Sequence, residues 1–61
     1  MTLTDALRKA AKYSKLKRAY RFVVAEGGDF DTATEHDLDT FWYGANVVAC
    51  FDDEGNRVAV D

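Results

Sequence analysis

Proline is absent from these 61 residues, and cysteine and histidine occur once each. Without a second cysteine, Cys50 cannot close an internal disulfide, and it has no metal-ligating companion at useful spacing, so a reducing compartment such as the cytoplasm is expected. No apolar run approaches the roughly 18 residues needed to span a bilayer, and the amino-terminal MTLTDALRKAA lacks a seven-residue apolar core. Neither secretion nor membrane insertion is expected. One histidine, one cysteine and no glycine-rich phosphate loop leave little to assemble into a catalytic site. His36 lies between Glu35 and Asp37, but neighbours in sequence do not make a catalytic pair, and Cys50 in the middle of an apolar run reads as a core residue. The chain therefore reads as a non-enzyme without a cofactor. A calcium site fails on spacing: Asp29, Asp31 and the Asp52-Asp53-Glu54-Gly55-Asn56 cluster offer hard oxygen ligands, yet neither segment follows the EF-hand loop, and no metal is expected.

What is present is enough to fold. Apolar residues make up 48% of the chain and aromatics 13%, which is not the composition of a disordered tail. A chain this short buries only about 60% of the surface it exposes when unfolded, so a single domain over residues 1–61 is expected, with no room for a deep cleft.

Charge is divided along the sequence. Seven of the eight basic residues (Arg8, Lys9, Lys12, Lys15, Lys17, Arg18, Arg21) lie in residues 1–21, and ten of the eleven acidic ones follow. The first segment carries +7 − 1 = +6 and the remainder +1 − 10 = −9, which sum to the net −3. Between Glu26 and Asp39, six carboxylates (Glu26, Asp29, Asp31, Glu35, Asp37, Asp39) follow one another with no Lys or Arg among them. Segregation of this kind points to an electrostatic partner.

Local patterns predict an α+β fold. Thr2 and Asp5 mark a helix start, and Leu3, Ala6, Leu7, Ala10, Tyr13 and Leu16 recur at helical spacing with a basic outer side. Ala19–Ala25 changes to a β-branched and aromatic run, a strand ended by Gly27-Gly28. A second Thr-x-x-acid pattern at Thr34 precedes Leu38, Phe41 and Trp42, which favours a short helix over Glu35–Tyr43. The alternation of Glu35, Asp37 and Asp39 with His36, Leu38 and Thr40 is also that of a strand. Finally, Asn46–Asp52 and Asn56–Val60 flank Asp53-Glu54-Gly55 as a hairpin. It would pair Cys50 with Val58 and Val48 with Val60 on one apolar face, leaving Phe51 as a partner contact or the cover for another element. The expectation is an amphipathic amino-terminal helix packed on a three-stranded antiparallel sheet, with the acidic segment along one edge.

The carboxylates can imitate a line of phosphates. On an extended chain, i and i+2 carboxylates stand roughly 6.6 Å apart, and on a helix i and i+4 positions about 6 Å apart, against about 3.4 Å of axial rise per phosphate on one DNA strand. Glu26, Asp29, Asp31, Glu35, Asp37 and Asp39 would form the main line, with Asp52, Asp53 and Glu54 as a second cluster. Phe30, Trp42 and Tyr43 are the aromatic residues placed to give short-range fit. Direct nucleic-acid binding by the basic helix is disfavoured by repulsion from ten carboxylates on a small body.

A small, proline-free chain with a basic amphipathic first helix, AYRFVVAEGG, DFDTATEHDLD and a closing NVVACFDDEGNRVAV hairpin resembles the anti-CRISPR proteins of phages and mobile elements. More narrowly, it is similar to an acidic inhibitor of a type I surveillance complex, with type I-C the subtype suggested. The resemblance implies an inhibitor in the cytoplasm of a bacterial host. Its partner would be the DNA-binding subunit of the effector complex, held at a Lys/Arg-rich surface in place of target DNA. The alternative expectation is an antitoxin-like or regulatory interaction module that uses the basic helix or the Phe51 side of the hairpin.

Overall fold

The computed structural model describes residues 1–40 and 44–60. Helix α1 runs Leu3–Lys17, followed by strands β1 (Arg21–Glu26) and β2 (Asp29–Ala33), helix α2 (Glu35–Asp39), and strands β3 (Asn46–Phe51) and β4 (Arg57–Val58). Together they form one four-stranded antiparallel sheet in the order β2-β1-β3-β4, with α1 against it. The α+β class and the amino-terminal helix agree with the sequence reading.

The expected three strands are four. The first half of the acidic segment is itself the edge strand β2, because Gly27 and Gly28 adopt φ of 57° and 83° and turn the chain back in two residues. Positive φ at both turn positions matches the twist of the flanking strands, and glycine reaches it without steric cost. The first predicted strand begins two residues later than Ala19 and extends through Glu26.

Helix α1 begins as its sequence indicates, with the Asp5 N–H donating to Thr2 Oγ1 at 3.2 Å. Its apolar stripe is rotated from the predicted one. Ala6, Ala10 and Ser14 are fully buried, whereas Leu3 is 42% and Leu16 63% exposed. Small residues at i, i+4 and i+8 let the helix axis approach the sheet, and the Ser14 hydroxyl satisfies itself on the Ala11 carbonyl at 2.9 Å. Beneath them lie Val23, Ala49 and Phe51, flanked by Phe30 and Val48.

Phe51, 7% exposed, is thus the floor under α1 and not a partner contact. The helix covers the Ala49/Phe51 face of the hairpin instead of the Cys50/Val58 face. Val48 joins the α1 side because a register shift between Val23 and Val24 sets Val23 opposite Ala49 but Val24 opposite Val47. That bulge interrupts the strict alternation on which the predicted face assignment depends. Cys50 does pair with Val58, but β4 is only two residues long and the expected Val48–Val60 pairing does not form.

Helix α2 carries the predicted cap at Thr34; the part of the predicted helix that continues through Phe41, Trp42 and Tyr43 lies outside the described residues. No described helix is long and apolar enough to cross a membrane.

Candidate partner-binding surface

The β1–β2 hairpin sets Glu26 directly opposite Asp29 and Val24 opposite Asp31. Directly paired residues of an antiparallel ladder share a face, so Glu26, Asp29 and Asp31 stand together on the side of the sheet away from α1. With Gly27 and Phe30 they line a shallow hollow at the hairpin end. All three carboxylates are exposed. The only salt bridge among the described residues joins the chain's amino-terminal ammonium to Asp29, so no Lys or Arg neutralises the group.

Two of these carboxylates also protect the sheet edge. The Phe30 N–H points outward to the Met1 carbonyl at 3.2 Å and also donates to Asp29 Oδ1 at 2.9 Å. Two residues on, the Thr32 N–H donates to Asp31 Oδ1 at 2.8 Å. Each outward amide of the edge strand is therefore covered by the carboxylate before it, which blunts a template for strand addition. The amino-terminal ammonium and then the Phe30 amide hold the Asp29 carboxyl below its usual range.

The second part of the acidic segment is differently employed. Asp37 Oδ2 accepts the Thr34 N–H at 3.1 Å while Thr34 Oγ1 accepts the Asp37 N–H at 3.1 Å, a reciprocal cap at the start of α2. The Thr34 amide is the main cause that lowers the Asp37 carboxyl's pKa. Glu35 and Asp39 are exposed and free of such bonds.

Asp52, Asp53 and Glu54 lie at the opposite end of the sheet. β1 and β3 run antiparallel with Ala25 opposite Asn46 at one end and Arg21 opposite Phe51 at the other, which separates the two turns by about 17 Å of strand. Asp52 Oδ1 is occupied by the Glu54 and Asn56 N–H groups, both at 2.9 Å, and so shapes its own loop. Asp53 and Glu54 share a hollow with Lys12, Lys15 and Arg18 of the helix end. Their charge is opposed locally by cations, unlike that of Glu26, Asp29 and Asp31.

Of the predicted aromatic contacts, Phe30 is half-buried against the α1 core, and Trp42 and Tyr43 lie outside the described residues. The Cys50 thiol is buried, and burial first, then the charges of Asp52 and Glu35, push its pKa up, which leaves it a poor nucleophile. Among the described residues no three His, Cys, Asp or Glu side chains converge as a metal-ligand set.

The edge strand was the element the sequence reading missed. Its signal is present: DFDTA alternates across a two-residue Gly-Gly from the preceding strand, a hairpin pattern obscured by aspartates that are rare in strands. Compared with protein-family models, curated protein sequences and solved structures, the chain has no significant match.

Proposed function

We propose that this protein is a non-enzymatic inhibitor that occupies a DNA-binding groove of a type I CRISPR surveillance complex, with its acidic surface in place of the duplex. The observation that carries the reading is the exposed set Glu26, Asp29 and Asp31, held on a two-residue hairpin on the face away from α1, with no Lys or Arg bridged to it and only Asp29 paired, to the amino-terminal ammonium. A like-charged pair directly across a ladder is destabilising, so its presence is accounted for when an opposite charge on a partner relieves it. Glu35 and Asp39 extend the negative surface along the chain.

Asp53 and Glu54, facing their own helix cations, serve this surface less than the hairpin does. Asp29, Asp31, Asp37 and Asp52 each carry a structural bond besides their charge, which makes Glu26 the cleanest position to probe, with Asp31 probed as Asn so that its side-chain oxygen still accepts the Thr32 amide. The resemblance in charge layout and size to small anti-CRISPR proteins supplies the class of partner, a Lys/Arg-rich surface that recognises duplex DNA.

The test is competition. Purified protein is titrated against a reconstituted type I surveillance complex and labelled target DNA at low and high salt. Displacement of DNA that weakens as salt rises is expected, because at physiological ionic strength exposed charges are screened beyond about 8 Å. Absence of any association with the complex at every salt concentration rejects the reading.

A further inference from the structure

We propose that the exposed basic face of α1 is a docking surface for the acidic β1–β2 hairpin of a second copy of this chain. The row Ala6, Ala10 and Ser14 is buried against the sheet, which turns Arg8, Lys12 and Lys15 outward. At i, i+4 and i+7 these three span about 10 Å along the helix, with neighbours about 6 Å apart. Lys12 and Lys15 also border the hollow that holds Asp53 and Glu54, but none of the three forms a salt bridge with a described carboxylate. The matching group is Glu26 and Asp31, with Asp29, already paired to the amino-terminal ammonium, between them, spaced about 5 Å across the ladder and roughly 6.6 Å along it. The two sets are of opposite sign and similar spacing.

They cannot meet within one molecule. The ladder register puts the carboxylates on the side of the sheet that α1 does not cover, so the helix cations and the hairpin carboxylates lie on two faces, while Asp53 and Glu54 stay beside the helix end. A second copy brings the hairpin of one to the helix of the other. Nucleic acid fits the helix face less well, because it would also meet the excess of carboxylates that gives the chain its net charge of −3.

The contact is weak by size. It rests on three charged side chains from each partner, far fewer than the roughly 20–30 residues a side of a standard interface. It is also front-to-back. Such a heterologous contact leaves a free helix face and a free hairpin at the two ends, so association continues with concentration and does not stop at two copies. The contact uses the carboxylates of the proposed inhibitory surface but does not depend on that reading.

Sedimentation velocity tests it with the full chain. At about 0.05 M salt the screening length is about 14 Å, shorter than the molecule, so local complementarity outweighs net repulsion; at 1 M it is about 3 Å. The weight-average mass is expected to rise with concentration at the lower salt and to fall back to one chain at the higher. Two doubly reversed variants, Lys12→Glu with Lys15→Glu and Glu26→Lys with Asp31→Lys, are each checked for folding by circular dichroism. Each alone is expected to sediment as one chain, and an equimolar mixture to associate, since reversal on both partners restores the attraction. A wild-type chain that stays single at every concentration overturns the proposal, as does a mixture that fails to associate. Binding of a short single-stranded DNA by a wild-type chain that does not self-associate assigns the helix face to nucleic acid instead. DNA competition by the Lys12→Glu, Lys15→Glu variant, which keeps the acidic hairpin, reports on the inhibitory reading alone.

Discussion

Glu26 and Asp29 face each other across the last pair of the β1–β2 ladder, two carboxylates beside a Gly-Gly turn, of which only Asp29 is met by a cation, the amino-terminal ammonium. A ladder selected for stability alone would place a cation at one of these positions. Glu26→Lys is therefore expected to stabilise the fold while it weakens DNA competition. The stability gain should appear as a rise in Tm of about 2–4 °C, the scale of one cross-strand pair in a domain this small. Thermal unfolding and the competition assay moving in opposite directions identify the pair as functional. A variant that loses both stability and inhibition would place Glu26 in the structure instead.

Arg18 ends α1 in the left-handed region at φ 53°, where its N–H reaches the Lys15 carbonyl and the following Ala19 N–H the Ser14 carbonyl. A side chain at such a helix end costs about 1 kcal/mol that glycine avoids. Arg18→Gly also removes a cation from a helix terminus that favours one, worth about 0.3–0.5 kcal/mol, but Lys15 and Lys17 remain there. A net rise in Tm of a few degrees is expected in a thermal melt; a fall would mean that Arg18 makes a contact in solution beyond its role as a cap.

The cap of α2 predicts an acid limb of stability. Asp37 is held below its ordinary pKa, first by the Thr34 amide. A carboxyl whose folded pKa lies below its unfolded one contributes stability above the unfolded value, near pH 4, and loses it as the pH falls through the folded value. Asp29, lowered by the amino-terminal ammonium and the Phe30 amide, adds to the same limb. Thr34→Ala removes one half of the reciprocal cap and should cost about 1 kcal/mol at neutral pH. Measured from pH 6 to 2, the gap to the wild type should stay nearly constant, because protonation of Asp37 releases only the carboxylate bond to the residue-34 amide, which both chains share, while the bond from the Asp37 amide to Thr34 Oγ1 does not titrate. A gap that closes as the pH falls would show that the Thr34 hydroxyl acts through the Asp37 carboxylate and not through the Asp37 amide.

How much of this was legible in the sequence can be argued from single residues. Thr2 and Thr34 announced both helix starts because capping is local: side chain and backbone partner lie three residues apart. Cys50 opposite Val58 followed from a hairpin loop whose length fixes its register. The orientation of the sheet toward α1 did not follow. It depends on whether the alternation of side chains survives along β1 and β3, and the shift at Val23/Val24 breaks it in a place no composition rule marks. Val23 and Val24, adjacent and pointing to opposite faces, are both fully buried, so alternation of polarity gives no sign of an inside and an outside there. The acidic line expected over Glu26–Asp39 is two parts in space, an edge hairpin and a helix cap, and the second cluster, Asp52–Glu54, is a loop beside basic residues. Charge clustering in sequence says how much charge is present, but strand direction decides which charges are neighbours.

That division separates the carboxylates in one experiment. Glu26→Gln with Asp31→Asn removes two charges from the unopposed hairpin while each amide keeps the size of the acid it replaces, and the Asp31 side-chain oxygen can still accept the Thr32 amide. Asp53→Asn with Glu54→Gln removes the same number of charges from the far turn, where Lys12, Lys15 and Arg18 already oppose them. Net charge changes equally in the two variants, so any general effect of charge on encounter with a basic partner is the same for both. Placement alone distinguishes them. If the hairpin face occupies the DNA groove, the first variant should lose DNA competition by at least tenfold, given that two desolvated charge contacts are each worth about 1 kcal/mol or more at an interface, while the second should change it by less than about threefold. Equal losses would reduce the interaction to net charge and remove the hairpin's claim to be the contact. A larger loss from the far turn would move the surface to the helix end, where the acids and cations of that hollow would meet the partner together.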